Sequence, residues 1–329
     1  MLISLIRRNN FATIIFCFVI LLLLWLPRLF LDFESGANLS YEPIAAQSLW
    51  LRCLFNETSL LFPAFFLTLL SAYFLLILSN RYLNYSLNGF LFPLFYVVIA
   101  SAFPATQWLS GVQVVVPIII LGLHYLFRAR QKLFGVAEFF LAVFCFSCAA
   151  MCFPPAVLML LLPIILFVLI TVNWRYWIAF IIAAALPFAY LLLYYWVFTK
   201  DITPATDALL LLLPTFPPEL PVTTIPQIIF FVIVAWLLLL IFSSGFLQRT
   251  GTKAQNVFVH TVFTLMLLLF AAGFFFYPIY NYQLMPLLAL PVAAILPDYF
   301  ARRKNRKKKI IGSFILIAAV VYLQVVEFL

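Results

Sequence analysis

Long apolar stretches alternate with short polar or basic stretches along the whole chain. A helix needs about 20 mostly apolar residues to cross a bilayer, and eleven segments reach or approach that length. They lie at 11–31, 58–79, 88–103, 108–127, 138–153, 155–172, 177–198, 227–247, 257–276, 283–297 and 310–328. The pattern predicts an all-α, polytopic transmembrane bundle of about eleven spans, with 1–329 forming a single transmembrane domain.

The overall composition excludes a soluble protein. Hydrophobic residues make up 67% of the chain and charged residues only 9%, whereas soluble domains are roughly half apolar and about a quarter charged. So few charges cannot cover a protein surface in water. The composition therefore predicts an integral membrane protein.

Basic residues concentrate on one side of the predicted bundle. With the N-terminus in the cytoplasm, 16 of the 19 basic residues fall in cytoplasmic segments and eight of the ten acids fall outside. Cytoplasmic loops of membrane proteins carry such an excess of Lys and Arg. The charges predict a cytoplasmic N-terminus, an outer C-terminus and a basic cytoplasmic loop at 298–309, which contacts anionic lipid headgroups and not nucleic acid.

Two predicted outer segments are long. The segment 32–57 has the period of an interfacial helix in "EPIAAQSLWLRCLF". The segment 199–226 contains "DALLLLLPTFPPELP", whose leucine run followed by prolines predicts a re-entrant apolar turn and an extended strap. An outer-leaflet function would use these two segments.

No motif for a cofactor, a metal or a soluble-enzyme reaction is present. Cys145, Cys148 and Cys152 share one helical face, but no histidine or carboxylate accompanies them. We interpret them as small residues that pack between helices. Every ionisable residue lies at a span end or in a loop, which disfavours proton-coupled transport.

Polar and aromatic side chains gather at two further outer turns. We predict that they contact a substrate there; the alternative is an aromatic belt at the membrane interface. They are Gln107, Trp108, Gln113, Tyr277, Tyr280, Asn281, Tyr282 and Gln283.

About 110 residues, from "LNGFLFPLFYVV" to "NWRYW" and the following span, resemble an uncharacterised family of multi-pass inner-membrane proteins of Gram-negative bacteria. The landmarks are the basic loop with Arg128 and Arg130, the Phe-Pro-Pro turn at 153–155 and the "NWRYW" motif. The resemblance implies a bacterial inner membrane and this architecture, but no reaction.

The segment after the first span is similar in layout to the core module of GT-C glycosyltransferases, which use polyprenyl-phosphate-linked sugars. Arg28 precedes Asp32 and Glu34, and "YEPIAAQSL" contains Glu42. The chain departs from the GT-C pattern because it has no adjacent acidic pair, and amides stand where the second acid is expected.

That resemblance implies a charged outer site. Glu34 and Glu42 are its candidate catalytic carboxylates, and Arg28 and Arg52 its candidate ligands for a lipid phosphate. The alternative for the acids, including Asp32, is that they are solvated loop charges. We expect any cavity to lie between this loop and the two polar outer turns.

Three functions stay open. The first is a protein, catalytic or catalytically degenerate, that engages a lipid-linked sugar or polyprenyl lipid at the outer leaflet during envelope biogenesis. The second is a lipid or glycan transporter, and the third is a non-catalytic subunit that binds a membrane protein partner. Whether the chain is an enzyme is not decided by its sequence. A transferase needs polar residues at one membrane face, whereas a transporter needs some at mid-depth.

Overall fold

The computed structural model describes residues 10–30, 61–82, 91–102, 106–107, 109–131, 135–170, 174–200, 203–210, 212–213, 254–277, 283–302, 319–322 and 324. All regular secondary structure in these ranges is helical, so the predicted all-α class is confirmed for them. Most of the two long outer segments, the predicted span 227–247 and most of the basic loop lie outside the described residues.

Ten α-helices are defined here in chain order. They are α1 (Asn10–Phe30), α2 (Leu61–Tyr82), α3 (Leu91–Ala100), α4 (Gly111–Gln131), α5 (Val136–Cys152), α6 (Leu161–Ile170), α7 (Trp174–Tyr194), α8 (Thr203–Leu210), α9 (Ala254–Phe276) and α10 (Met285–Arg302). A 3₁₀ segment, Pro154–Leu160, leads into α6, and a π-helical turn, Tyr195–Thr199, continues α7. Residues 319–322 and 324 are also helical.

Four helical segments are long and apolar enough to cross a membrane: Leu61–Tyr82, Gly111–Gln131, Trp174–Phe198 and Val257–Phe276. Shorter apolar helices accompany them, including Leu91–Ala100 and Met285–Pro297. Length and composition therefore support a membrane protein.

Proline accounts for the turn between α5 and the next segment. Phe153 is extended, with φ −150° and ψ 108°, because a following proline disfavours the helical conformation. Pro154 and Pro155 then occupy the first positions of the 3₁₀ segment, where the missing N–H groups would have no helical partner. The predicted turn is present, but the sixth predicted span begins as a 3₁₀ helix.

Helix α10 is the centre of the described bundle. Residues 284–297 are buried on every side, and the helix packs mainly against α3 and α9. A helix that is apolar all round is expected in such a position. By contrast, α7 is peripheral, with Ile181 and Tyr190 largely exposed. Helix α10 also continues to Arg302, past the predicted span end at 297.

The helix termini lie at two opposite ends of the bundle, and contacts between different helices define each end. At the first, which we call the Trp25 end, the Trp25 Nε1–H donates to Ser101 Oγ at 3.0 Å, and the Trp25 ring lies 5.7 Å from that of Phe65, near the start of α2. At the second, the Tyr82 end, the Tyr82 hydroxyl donates to the His124 carbonyl at 3.2 Å. Neighbouring helices therefore run in alternating directions.

The later helices α9 and α10 also run between the Trp25 end and the Tyr82 end. Phe258, in the first turns of α9, contacts Phe127 at the Tyr82 end. The 23-residue α9 is about 34 Å long, so its other end, which is followed by Tyr277, lies at the Trp25 end. Leu284, just before α10, approaches Gly273 near that end of α9. Helix α10 therefore begins at the Trp25 end.

Candidate functional site

Two buried glutamines share one pair of carbonyl oxygens at the Trp25 end. Gln107 Nε2 donates to Leu24 O at 3.3 Å and to Ser101 O at 3.1 Å. Gln324 Nε2 donates to the same two oxygens at 3.1 and 3.0 Å. Gln107 is 0% exposed and Gln324 7%. We call Gln107, Gln324 and the two carbonyls the amide cluster.

The local sequence explains why these carbonyls accept side-chain donors. The last carbonyls of a helix have no intrahelical partner, and Ser101 directly follows α3. Leu24 lies inside α1, next to Leu23, whose carbonyl loses its helical donor because Pro27 has no N–H; the helix is therefore locally weakened beside Leu24. In spanning helices, side chains of neighbouring helices satisfy such backbone groups. The amide cluster has this role for α1 and α3.

The side chain of Gln113 forms hydrogen bonds within the turn that joins α3 to α4. Its Oε1 accepts from the Ser110 N–H at 2.9 Å and from the Ser110 hydroxyl at 2.6 Å. Its Nε2 donates to Thr106 O at 2.6 Å, while the Thr106 hydroxyl donates to Ala100 O at 3.0 Å. With 5% exposure, Gln113 joins the end of α3 to the start of α4.

Two glutamine side-chain oxygens at the Trp25 end could still accept a hydrogen bond. Gln107 Oε1 and Gln283 Oε1 are buried and have no hydrogen-bond donor within the part of the chain that the structure describes. A buried acceptor without a donor costs about 1–3 kcal/mol. Both residues are among the predicted substrate contacts, and that role stays a prediction.

Tyr277 fixes the segment that follows α8. Its hydroxyl donates to the Leu212 carbonyl at 2.6 Å, 65 positions away in the sequence, and its side chain is 3% exposed. The bond brings the segment after α7 and α8 to the same end as the amide cluster. The described part of the long segment 199–226 is therefore attached to α9.

We expect Tyr277→Phe to loosen this attachment while leaving the bundle folded. The lost hydrogen bond is worth about 0.5–1.5 kcal/mol. Hydrogen–deuterium exchange of residues 203–213 should become faster, with α4 and α10 unchanged. Tyr190→Phe is the matched control, because Tyr190 is 72% exposed on α7. Equal exchange in the two variants would contradict a role for the Tyr277 hydroxyl.

Several predicted site residues cannot be placed in this geometry. Glu34, Glu42, Arg52, Trp108, Tyr280, Asn281 and Tyr282 lie outside the described residues. Arg28 is in the last turn of α1, but its side chain is not described. Their proposed roles remain predictions.

Sequence reasoning missed five members of the polar network at the Trp25 end: Trp25, Ser101, Thr106, Ser110 and Gln324. Two signals were present in the sequence. Gln324 is an isolated amide in an apolar segment, and Pro27 interrupts the first span. An isolated amide in such a segment needs a partner. The described residues contain no group of three or more His, Cys, Asp or Glu side chains that could hold a metal ion.

Comparison of the chain with protein-family models, with curated proteins and with solved structures finds no match. Membership of the bacterial inner-membrane family and the GT-C-like layout therefore remain expectations from the sequence.

Proposed function

We propose that this protein is a multi-pass protein of the bacterial inner membrane that engages a polyprenyl lipid or a lipid-linked sugar at the outer leaflet. One observation carries the proposal. Gln107, Gln113, Tyr277 and Gln283 come from distant parts of the chain, and the directions of their helices bring all four to the Trp25 end. The acidic segment 31–60 connects α1 to α2 at this same end.

The proposed topology has eleven crossings. Leu212 lies beside Tyr277 at the Trp25 end, whereas α9 begins at the Tyr82 end, so the chain returns across the bundle between them. Similarly, α10 leads to the Tyr82 end and Gln324 lies in the amide cluster. Spans at 227–247 and 310–328 would make these two returns. Together with the nine crossings of the other segments, the total is eleven.

The orientation follows from charge. Arg81, Arg128 and Arg130 lie in the last turns of α2 and α4, at the Tyr82 end. Positive charge favours the cytoplasmic side, so we assign the Tyr82 end to the cytoplasm and the Trp25 end to the outer face. The two long segments 32–57 and 199–226 are then both external.

Hydroxyl groups deeper in the bundle support the transporter alternative less well than the outer-face site. Thr68 and Ser71 donate to carbonyls of their own helix, Ala64 O and Leu67 O. Ser147 donates to Ala184 O at 2.6 Å, three residues before Pro187 in α7. These hydroxyls are bonded to helix carbonyls and do not form a polar path, so an outer-face site has the better support.

A non-catalytic membrane subunit is the second candidate, and the exposed side of α7 favours it. Trp174, Ile181, Tyr190 and Trp196 are each more than 60% exposed. Lipid or a partner helix would cover such a surface. The outer-face site and a subunit role are compatible in one protein.

Polyprenyl-lipid binding tests the proposal directly. The purified full-length protein in detergent is titrated with a long-chain polyprenyl monophosphate, and bound lipid is quantified by native mass spectrometry. We expect the monophosphate to bind more tightly than the matching polyprenol. Arg28→Gln and Arg52→Gln should each weaken it about tenfold, since a hydrogen bond to a charged group is worth about 1.5–3 kcal/mol.

Arg302→Gln is the matched control for these variants because Arg302 ends α10 at the opposite end of the bundle. Its affinity for the monophosphate should equal that of the wild type. The proposal is wrong if the protein does not distinguish monophosphate from polyprenol, or if Arg302→Gln weakens binding as much as Arg28→Gln.

If the protein is a transferase, one carboxylate accepts the proton of the acceptor hydroxyl. The bond between the sugar and the lipid phosphate breaks, and a glycosidic bond to the acceptor oxygen forms. Glu34→Gln or Glu42→Gln would then abolish sugar transfer without reducing lipid binding. Unchanged transfer in both variants would exclude these carboxylates from the chemistry.

A further inference from the structure

A compact group of basic and aromatic side chains lies at the Tyr82 end, where α2 and α4 finish side by side. We define this basic cluster as Arg81, Tyr82, His124 and Arg128. The rings of Tyr82 and His124 are 5.4 Å apart at an interplanar angle of 72°. The Arg81 guanidinium carbon lies 5.9 Å from the centre of the Tyr82 ring. Tyr82 is fully buried, so it provides a rigid support for Arg81.

The basic cluster has more positive than negative charge. Arg128 Nε lies 3.8 Å from Glu138 Oε1. Within the described part of the chain, Glu138 is the carboxylate within ion-pair distance of this cluster. Arg81 directly precedes Tyr82 in the last turn of α2, and Arg128 lies one helical turn after His124 on α4. The cluster therefore contains two guanidinium groups, of which Arg128 is at ion-pair distance from Glu138.

The segments that directly follow α2 and α4 in the sequence add no negative charge. The connection between α2 and α3, residues 83–90, contains no Asp or Glu, and residues 132–134 after α4 add Lys132. Arg81 is exposed and the Arg128 side chain is 40% exposed. The cluster is therefore open to an external anion.

We propose that the basic cluster binds the phosphate of an anionic phospholipid headgroup. Guanidinium groups match phosphate oxygens in geometry and charge. Basic pockets between spanning helices on the cytoplasmic side bind such headgroups. The 22-residue α2 is about 33 Å long, close to the roughly 30 Å of hydrocarbon, so its last turn lies at headgroup depth. This site is separate from the Trp25 end and does not depend on the function proposed there.

Lipid titration of the full-length protein tests the site. Phosphatidylglycerol and phosphatidylcholine are added separately to the protein in neutral detergent, and binding is measured by native mass spectrometry. We expect tighter binding of phosphatidylglycerol, and about tenfold weaker binding in Arg81→Gln and in Arg128→Gln. Arg175→Gln, an exposed basic residue in the first turn of α7 that lies outside both the cluster and the basic loop, should bind like the wild type. Tyr82→Phe, which keeps the aromatic support, should retain most of the affinity.

Arginine modification gives a second measurement that needs no variant. Phosphatidylglycerol should slow the reaction of phenylglyoxal with Arg81 and Arg128 in the wild-type protein, as read by peptide mass spectrometry. Inorganic phosphate at the same concentration should not. Equal protection by free phosphate would overturn the assignment to a lipid. Equal loss of binding in Arg175→Gln, or no loss in either cluster variant, would show that diffuse positive charge attracts the lipid and that the cluster is not a site.

Discussion

The double substitution Gln107→Leu with Gln324→Leu should destabilise the protein by far more than the sum of the single substitutions. Each amide donates to both Leu24 O and Ser101 O, so either one alone keeps both carbonyls satisfied. Each single substitution should therefore cost about 1 kcal/mol or less. The double substitution leaves the buried Ser101 carbonyl and the part-buried Leu24 carbonyl without a side-chain donor, and a buried acceptor without a donor costs about 1–3 kcal/mol.

Unfolding in mixed detergent micelles measures this coupling through a double-mutant cycle. Gln131→Leu is the control, since Gln131 is exposed at the end of α4 and should be nearly neutral. Strictly additive costs would show that the two amides act independently, which would contradict the shared carbonyl arrangement.

Gly122→Ala should destabilise the contact between α4 and α5, and Phe146→Leu should reduce that cost. A Cβ at position 122 would lie 2.5 Å from Cε1 and 2.8 Å from Cδ1 of Phe146. Phe146 is fully buried, so its ring has little room to move. Overpacking of this kind costs about 1–3 kcal/mol, which exceeds the gain of at most about 1 kcal/mol from replacing glycine in a helix.

Leucine at position 146 removes the ring-edge atoms that would meet the new Cβ. The double variant should therefore be more stable than the sum of the two single costs predicts. Gly273→Ala is the matched control, because its new Cβ would meet the flexible tip of Leu158 at 3.1 Å. Unfolding midpoints measure all four variants. A Gly122→Ala variant as stable as Gly273→Ala would contradict the tight contact.

Apolar run length predicted the helical class and the places of most described helices, because burial in hydrocarbon requires internally bonded backbone. Prolines and local packing then determined where individual helices begin and end and which type of helix forms. Prediction placed a span at 88–103, and within the described residues the α-helix is Leu91–Ala100, with Ser101 and Ala102 outside it. At Pro154 and Pro155 a 3₁₀ segment replaces the start of a predicted α-helix. Periodicity does not resolve such changes.

The polar residues at the Trp25 end were predicted in part. Gln107 and Gln113 stand out in the sequence as amides near a span end, but their hydrogen bonds depend on tertiary packing. Gln324 is 223 positions from Ser101, whose carbonyl it shares with Gln107. No local pattern links these positions, because helix packing brings them together. The acids of 32–57 lie outside the described residues, so their role stays a prediction.

Side-specific labelling of two introduced cysteines tests the central claim, an alternating bundle with the Trp25 end outside. Thr206→Cys lies on the exposed α8, and Asn305→Cys lies in the basic loop. Both are made in a background in which the five native cysteines are replaced by alanine. A membrane-impermeant maleimide should label position 206 only from outside and position 305 only from the cytoplasm. Labelling of both positions from the same side would contradict the account.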